Sequence, residues 1–194
     1  MLTTIFNFPK TSPVKNEQKF SVHQPTTMYD IANSVRDIAR QAAAESKDIV
    51  ILCIGTDRST GDSLGPLTGS KLKTLNQHPH IFGTLDDPVH ATNLATMISY
   101  IQLNYNSPFI IAVDACLGKL ESVGYVSLGY GPVKPGAAVN KDLPSVGDAY
   151  ITGIVNVGGF MEHMVLQSTR LNLVVKMADT IAHGLSFGLS SVRH

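Results

Sequence analysis

The apolar residues of this chain fall into two kinds of run. Asp48-Ile-Val-Ile-Leu-Cys-Ile-Gly55 and Phe109-Ile-Ile-Ala-Val-Asp114 are apolar without alternation, the pattern of strands buried on both faces of a sheet. Residues 123–128 and 150–157 predict two further strands, and residues 80–85 a short one. By contrast, Ile31, Ala32, Val35, Ile38 and Ala39 recur at helical spacing. They predict a helix that starts at Thr26 or Thr27, whose hydroxyls suit a cap, and fades near Ser46. A second helix is predicted over residues 63–76, with Pro66 in the first turn, where its missing N–H is not needed. A third spans 91–105. A fourth, over residues 160–185, is so dense in Met, Leu and Val that it demands burial against the sheet or a partner.

The intervening segments are punctuated by breakers. Pro9, Pro13 and Pro25 predict a loosely organised arm over residues 1–25. Residues 129–148 hold Pro132, Pro135, Gly136, Pro144 and Gly147, too many for regular structure. Strands that alternate with helices predict a single α/β domain over residues 1–194, with a mainly parallel sheet covered by helices. In such sheets the ligand site lies beyond the carboxyl ends of the strands.

Composition narrows the class. A chain of 194 residues with 43% hydrophobic content can bury a core, which excludes global disorder. Fifteen basic and 15 acidic side chains give a formal net charge of zero. That balance leaves no electrostatic footprint for nucleic acid or an anionic membrane. The first 25 residues lack an uninterrupted apolar segment of the signal-peptide kind, and no run approaches bilayer length. A cytoplasmic location is the resulting expectation. Cys53 and Cys116 lie in or just after apolar runs and read as free thiols rather than a disulfide framework.

Two acids stand where the chemistry of an α/β protein is expected. Asp114 closes a buried strand, and Asp62 follows the loop after another. Asp62 also precedes a helix, where an N-cap is the commoner role; Asp114 has a turn-forming role as its alternative. Two carboxylates meeting at one sheet edge would perturb each other's protonation, a basis for acid–base chemistry. Asp57 and Arg58 share the loop of Asp62, as orienting groups or as a solvated surface pair. Asp86, Asp87 and His90 form a third polar cluster. His90 with Asp62 and Asp114 would make a candidate divalent-metal site; with that exception no cofactor is expected. His163, within an apolar helix, reads as a core or interface histidine. The glycines of residues 55–65 fit neither a dinucleotide fingerprint nor a P-loop, and no Gly-x-Ser-x-Gly elbow is present.

Several segments together resemble a known family. Gly55-Thr-Asp-Arg-Ser-Thr-Gly-Asp-Ser-Leu-Gly-Pro66, Gly83-Thr-Leu-Asp-Asp-Pro-Val-His90, Val113-Asp-Ala-Cys-Leu-Gly118 and Lys134-Pro-Gly-Ala-Ala-Val-Asn140 closely resemble the YyaC-type sporulation proteins of spore-forming bacteria. That family looks like a relative of the germination protease and of the hydrogenase maturation peptidases. The resemblance implies a three-layer, phosphorylase/hydrolase-like sandwich: a mixed, mostly parallel sheet with helices on both faces. It implies a peptidase using Asp62 and Asp114. The residues themselves add Asp57, Arg58 and His90 as substrate-side candidates, and Gly136, where glycine permits a peptide to approach the backbone closely. The resemblance also implies a forespore or mother-cell setting, with small acid-soluble spore proteins as substrate candidates. A catalytically silent peptide-binding or assembly factor, dimerising through its apolar tail helix, is the rival expectation.

Overall fold

The computed structural model describes residues 17–75, 80–135 and 143–191. Six strands form one sheet: β1 (Gln18–Ser21), β2 (Ile49–Cys53), β3 (Ile81–Phe82), β4 (Phe109–Gly118), β5 (Tyr125–Tyr130) and β6 (Ala149–Val157). Their order across the sheet is β1-β5-β6-β4-β2-β3. β3, β2, β4 and β6 run parallel; β5 joins β6 antiparallel, and β1 joins β5 antiparallel at the edge. The sheet is therefore mixed and mostly parallel, as expected.

Five helices cover it: α1 (Thr27–Ala44), α2 (Leu64–Leu75), α3 (Leu94–Asn104), α4 (Glu162–Gln167) and α5 (Leu171–Ser190). All five residues of β2 are buried. Ile49, Ile51 and Cys53 meet the helices of one face, where Ile31, Val35, Leu64, Leu72, Met177 and Ile181 pack with them. Val50, Leu52 and Ile54 meet the other face, under Leu94 and Ile101 of α3. Burial on both sides explains why this strand shows no alternation.

Two expectations are corrected. The arm expected over residues 1–25 does not stay loose to its end. Residues 1–16 lie outside the described residues, but Gln18–Ser21 pair antiparallel with Tyr125–Leu128 of β5. Val22 is buried and Phe20 packs on the main core, so apolar burial holds this edge strand in place. Thr26 makes no side-chain cap bond to α1. Instead the Thr27 hydroxyl donates to the Ser21 carbonyl at 2.5 Å and ties the helix to β1.

The long helix expected over residues 160–185 is two. Thr169 is buried and its hydroxyl donates to the Val165 carbonyl at 2.8 Å. The Ser168 hydroxyl likewise donates to the Met164 carbonyl at 2.9 Å. Asn156 of β6 reaches in and donates to Thr169 Oγ1 at 3.2 Å. Side chains thus take up carbonyls at the end of α4. Arg170 is extended, and α5 begins afresh.

The apolar density of α5 is used within the chain. Val174, Met177, Ala178, Ile181, Ala182 and Leu185 are buried at helical spacing. α5 also crosses α1 closely: a Cβ at Gly188 would stand 2.6 Å from Val35 Cγ1 and 2.8 Å from the Ala32 carbonyl oxygen. Gly188→Val therefore overpacks this crossing and is expected to cost about 1–3 kcal/mol. At this chain length that lowers Tm by roughly 2–4 °C per kcal/mol, measurable by thermal denaturation. Val35→Ala in the same chain should recover part of the loss.

Candidate active site

The site is built where β2 and β4 end side by side. β2 pairs with β4 up to Cys53 and Val113, and the Ile54 N–H closes the ladder on the Val113 carbonyl at 2.7 Å. The chain then leaves the sheet through Gly55, whose φ is +141°, and the Gly55 N–H bonds the Val89 carbonyl at 2.8 Å. A side chain at Gly55 would strike the carbonyl of Asp62, and one at Gly65 the carbonyl of Ile54. Glycine at both positions lets the main chain of residues 61–65 lie directly on the end of β2. A 3-10 turn, Gly61–Ser63, carries Asp62 there before α2 begins. The turn is tied by the Ser63 N–H to the Ser59 carbonyl at 3.0 Å and by the Ser63 hydroxyl to the Thr60 carbonyl at 2.7 Å. Asp62 is therefore not the helix cap that its position suggested.

Asp114 lies one residue beyond the last β2 partner, in register with Thr152 of β6. It is 8% exposed, and its Oδ1 accepts the Ala115 N–H at 2.9 Å. Burial first, and then the negative charge of nearby Asp62, push the Asp114 carboxyl well above its ordinary range; the Ala115 N–H pulls weakly the other way. Burial also raises Asp62, but the Thr56 main-chain N–H and the cationic forms of His90 and His163 oppose it. The two acids are thus unequal. Asp114, raised the more strongly, holds its proton to a higher pH than Asp62 does.

The surroundings sort the remaining candidates. His90 stands in a rigid turn: its N–H donates to Asn93 Oδ1 at 2.8 Å, and Asn93 Nδ2 donates to the Pro88 carbonyl at 3.0 Å. The Thr92 N–H points at His90 Nδ1 from 3.4 Å. A main-chain N–H can only donate, so the proton of the neutral ring sits on Nε2. Asp87 is used in a turn with Thr84, and Asp86 is exposed. Asp57 and Arg58 are exposed, and among the described residues Arg58 forms no ion pair with Asp62. Gly136 lies outside the described residues. Among the described residues no three His, Cys, Asp or Glu side chains come together as a metal-holding group, so Asp62, His90 and Asp114 are not assembled as ligands. Burial lifts the thiol of Cys116 to about 11 and that of Cys53 to about 12. Neither is a nucleophile at neutral pH.

His163 does not lie in the core, the first of its two expected places. It is exposed on α4, three residues before Leu166. Leu166 is buried against Gly61, beside Asp62: a Cβ at Gly61 would come 2.8 Å from Leu166 Cδ2. α4 is thereby held over the acidic turn, with His163 Nε2 3.2 Å from Gln167 Nε2. Reading residues 160–185 as one core helix hid it. The run Ser168-Thr169-Arg170, with two residues that bond back to carbonyls, was the available signal.

Fold and site together define an α/β protein with a pair of aspartates, one half-buried and one buried, at the carboxyl edge of its sheet. The chain belongs to the family described as "Protein of unknown function (DUF1256)", whose model matches residues 19–184. It is 61% identical over 144 residues to the uncharacterized protein YyaC of Bacillus subtilis (strain 168), covering 74% of this chain and 70% of that one. The resemblance read from the motifs is borne out by that relative. A [NiFe] hydrogenase maturation protease, HycI from Thermococcus kodakarensis KOD1, is similar over 74% of this chain and 93% of its own, with a TM-score of 0.47 and 17% identity.

The raised acid has a measurable consequence for stability. Folded Asp114 keeps its proton to a higher pH than the unfolded chain does, so the folded state binds more protons. Stability then falls as pH rises from the ordinary aspartate value of about 3.9 through the raised one. Asp114→Asn abolishes that titration. The variant is expected to be more stable than the parent at neutral pH and to show a flatter Tm-against-pH curve, leaving only the smaller fall due to Asp62. Identical curves for the two proteins would show that Asp114 titrates as an ordinary acid.

Proposed function

We propose that this protein is an aspartate-dependent peptidase acting on protein or peptide substrates during spore formation or germination. The observation that carries the reading is the pair itself: half-buried Asp62, on the turn over the end of β2, lies near buried Asp114 of β4, and burial raises Asp114 the more strongly. Ionised Asp62 takes a proton from an attacking water. Protonated Asp114 donates a hydrogen bond to the scissile carbonyl and later passes its proton to the departing amine. Water supplies OH to the new carboxyl and H to the amine, and the pair ends with its single proton transferred from Asp114 to Asp62. Exchange with solvent restores the starting state. Histidines 90 and 163 support the charge on Asp62. The motif resemblance adds small acid-soluble spore proteins as the first substrates to try.

A second reading has its own support. Phe160, Met161, Met164 and Leu171 are exposed. Such a patch suits a silent peptide-binding or assembly factor, or a dimer contact. The discriminating experiment incubates the protein with a spore-protein extract beside Asp62→Asn and Asp114→Asn. Each variant is expected to lose cleavage by about two orders of magnitude or more, the usual scale for one acid–base group. Cleavage undiminished in either variant would sink the acid-pair mechanism. Tight peptide binding with no cleavage by the parent would favour the silent reading.

A further inference from the structure

The second half of β4 is bonded along one edge only. β4 is ten residues long, yet β2 accompanies it only from Phe109 to Val113, whereas β6 follows it from Ile111 to Gly118. In a strand the N–H and C=O of one residue point to the same side, and successive residues alternate. Ile110 faces β6: its carbonyl accepts the Asp148 N–H at 2.8 Å and its N–H donates to Asp148 Oδ2 at 2.8 Å. Val113 faces β2, accepting the Ile54 N–H. The alternation persists to the end of the strand, because the Gly118 carbonyl accepts the Gly158 N–H on the β6 side at 2.8 Å. Ala115 and Leu117 therefore turn their main-chain groups toward the place β2 would occupy if it continued.

β2 does not continue, because residues 54 and 55 turn aside to Val89. The Ala115 N–H is held by the side chain of Asp114. Among the described residues the Ala115 carbonyl and the N–H and carbonyl of Leu117 have no main-chain partner on that side. Residues 115–118 are half-buried, not sealed. An unpaired row of this kind is a template for a further strand. It starts at the residue after Asp114.

We infer that an extended peptide docks as an added strand on the open edge of β4, bonded to the main chain of Ala115 and Leu117. Docked there, it would run directly past the Asp62–Asp114 pair. The inference rests on the peptidase reading for the peptide's fate, but not for its binding.

The test is amide hydrogen exchange followed by NMR on the Asp62→Asn protein. Reduced, carboxymethylated α-lactalbumin, a permanently unfolded chain, serves as the probe. The Leu117 amide is expected to exchange about tenfold more slowly with probe than without, while the Cys116 amide, already facing β6, does not change. Leu117→Pro removes that donor and is expected to weaken probe binding about fivefold while the circular dichroism stays that of the parent. No slowing at Leu117, whether the probe binds elsewhere or not at all, overturns the proposal. Slowing at Leu117 without turnover by the parent would count against the peptidase reading alone. Turnover without slowing would count against the docking edge alone.

Discussion

Everything at the site depends on how closely a helical turn can lie on the end of a strand. The main chain of residues 61–65 touches the main chain of residues 54 and 55, with glycine at the points of contact. With any larger residue the turn would lift away from β2. Asp62 would then separate from Asp114, and water would enter between them. The raised acids, the placement of α4 and the premature end of β2 all follow from that one approach. Its cost is the entropy of ordering glycine, which the buried residues of α2 and β2 offset.

The environments of the two acids show how a fold separates chemically identical groups. Asp114 has one donor, the N–H of its own next residue, and little solvent. Asp62 stands at the mouth, half-buried, with a main-chain N–H and two imidazoles near it. An ion is costly where nothing answers its charge. The inner acid is for that reason the harder of the two to ionise. Cys116, beside the inner acid, is kept neutral by the same surroundings.

The interior of the fold was legible because its signals are local. β2 and β4 declare themselves as uninterrupted apolar runs, and α1 as an apolar stripe at helical spacing. Asp62 and Asp114 were legible because strand ends in α/β proteins are where sites lie. What was missed depends on tertiary contacts. β1 has four residues, two of them exposed, and only its pairing with β5 makes it a strand. The break between α4 and α5 depends on Asn156, which is far from it in sequence until the fold brings them together. The core reading of His163 failed with that break. Arg58 failed for the opposite reason: closeness in sequence to Asp62 implied a contact that the loop directs into solvent.

The sheet is covered unevenly. Among the described residues α1, α2 and α5 pack on one face, while α3 is the helix on the other, joined there by Val89 and Val146 from loops. The two layers therefore differ as cooperative units. Little apolar area ties α3 down, and its amides are expected to exchange by local opening at a free energy well below that of α5. The protein is then a stiff half carrying a looser one. The His90 turn, which bonds the Leu94 N–H at the start of α3, sits at the joint between them.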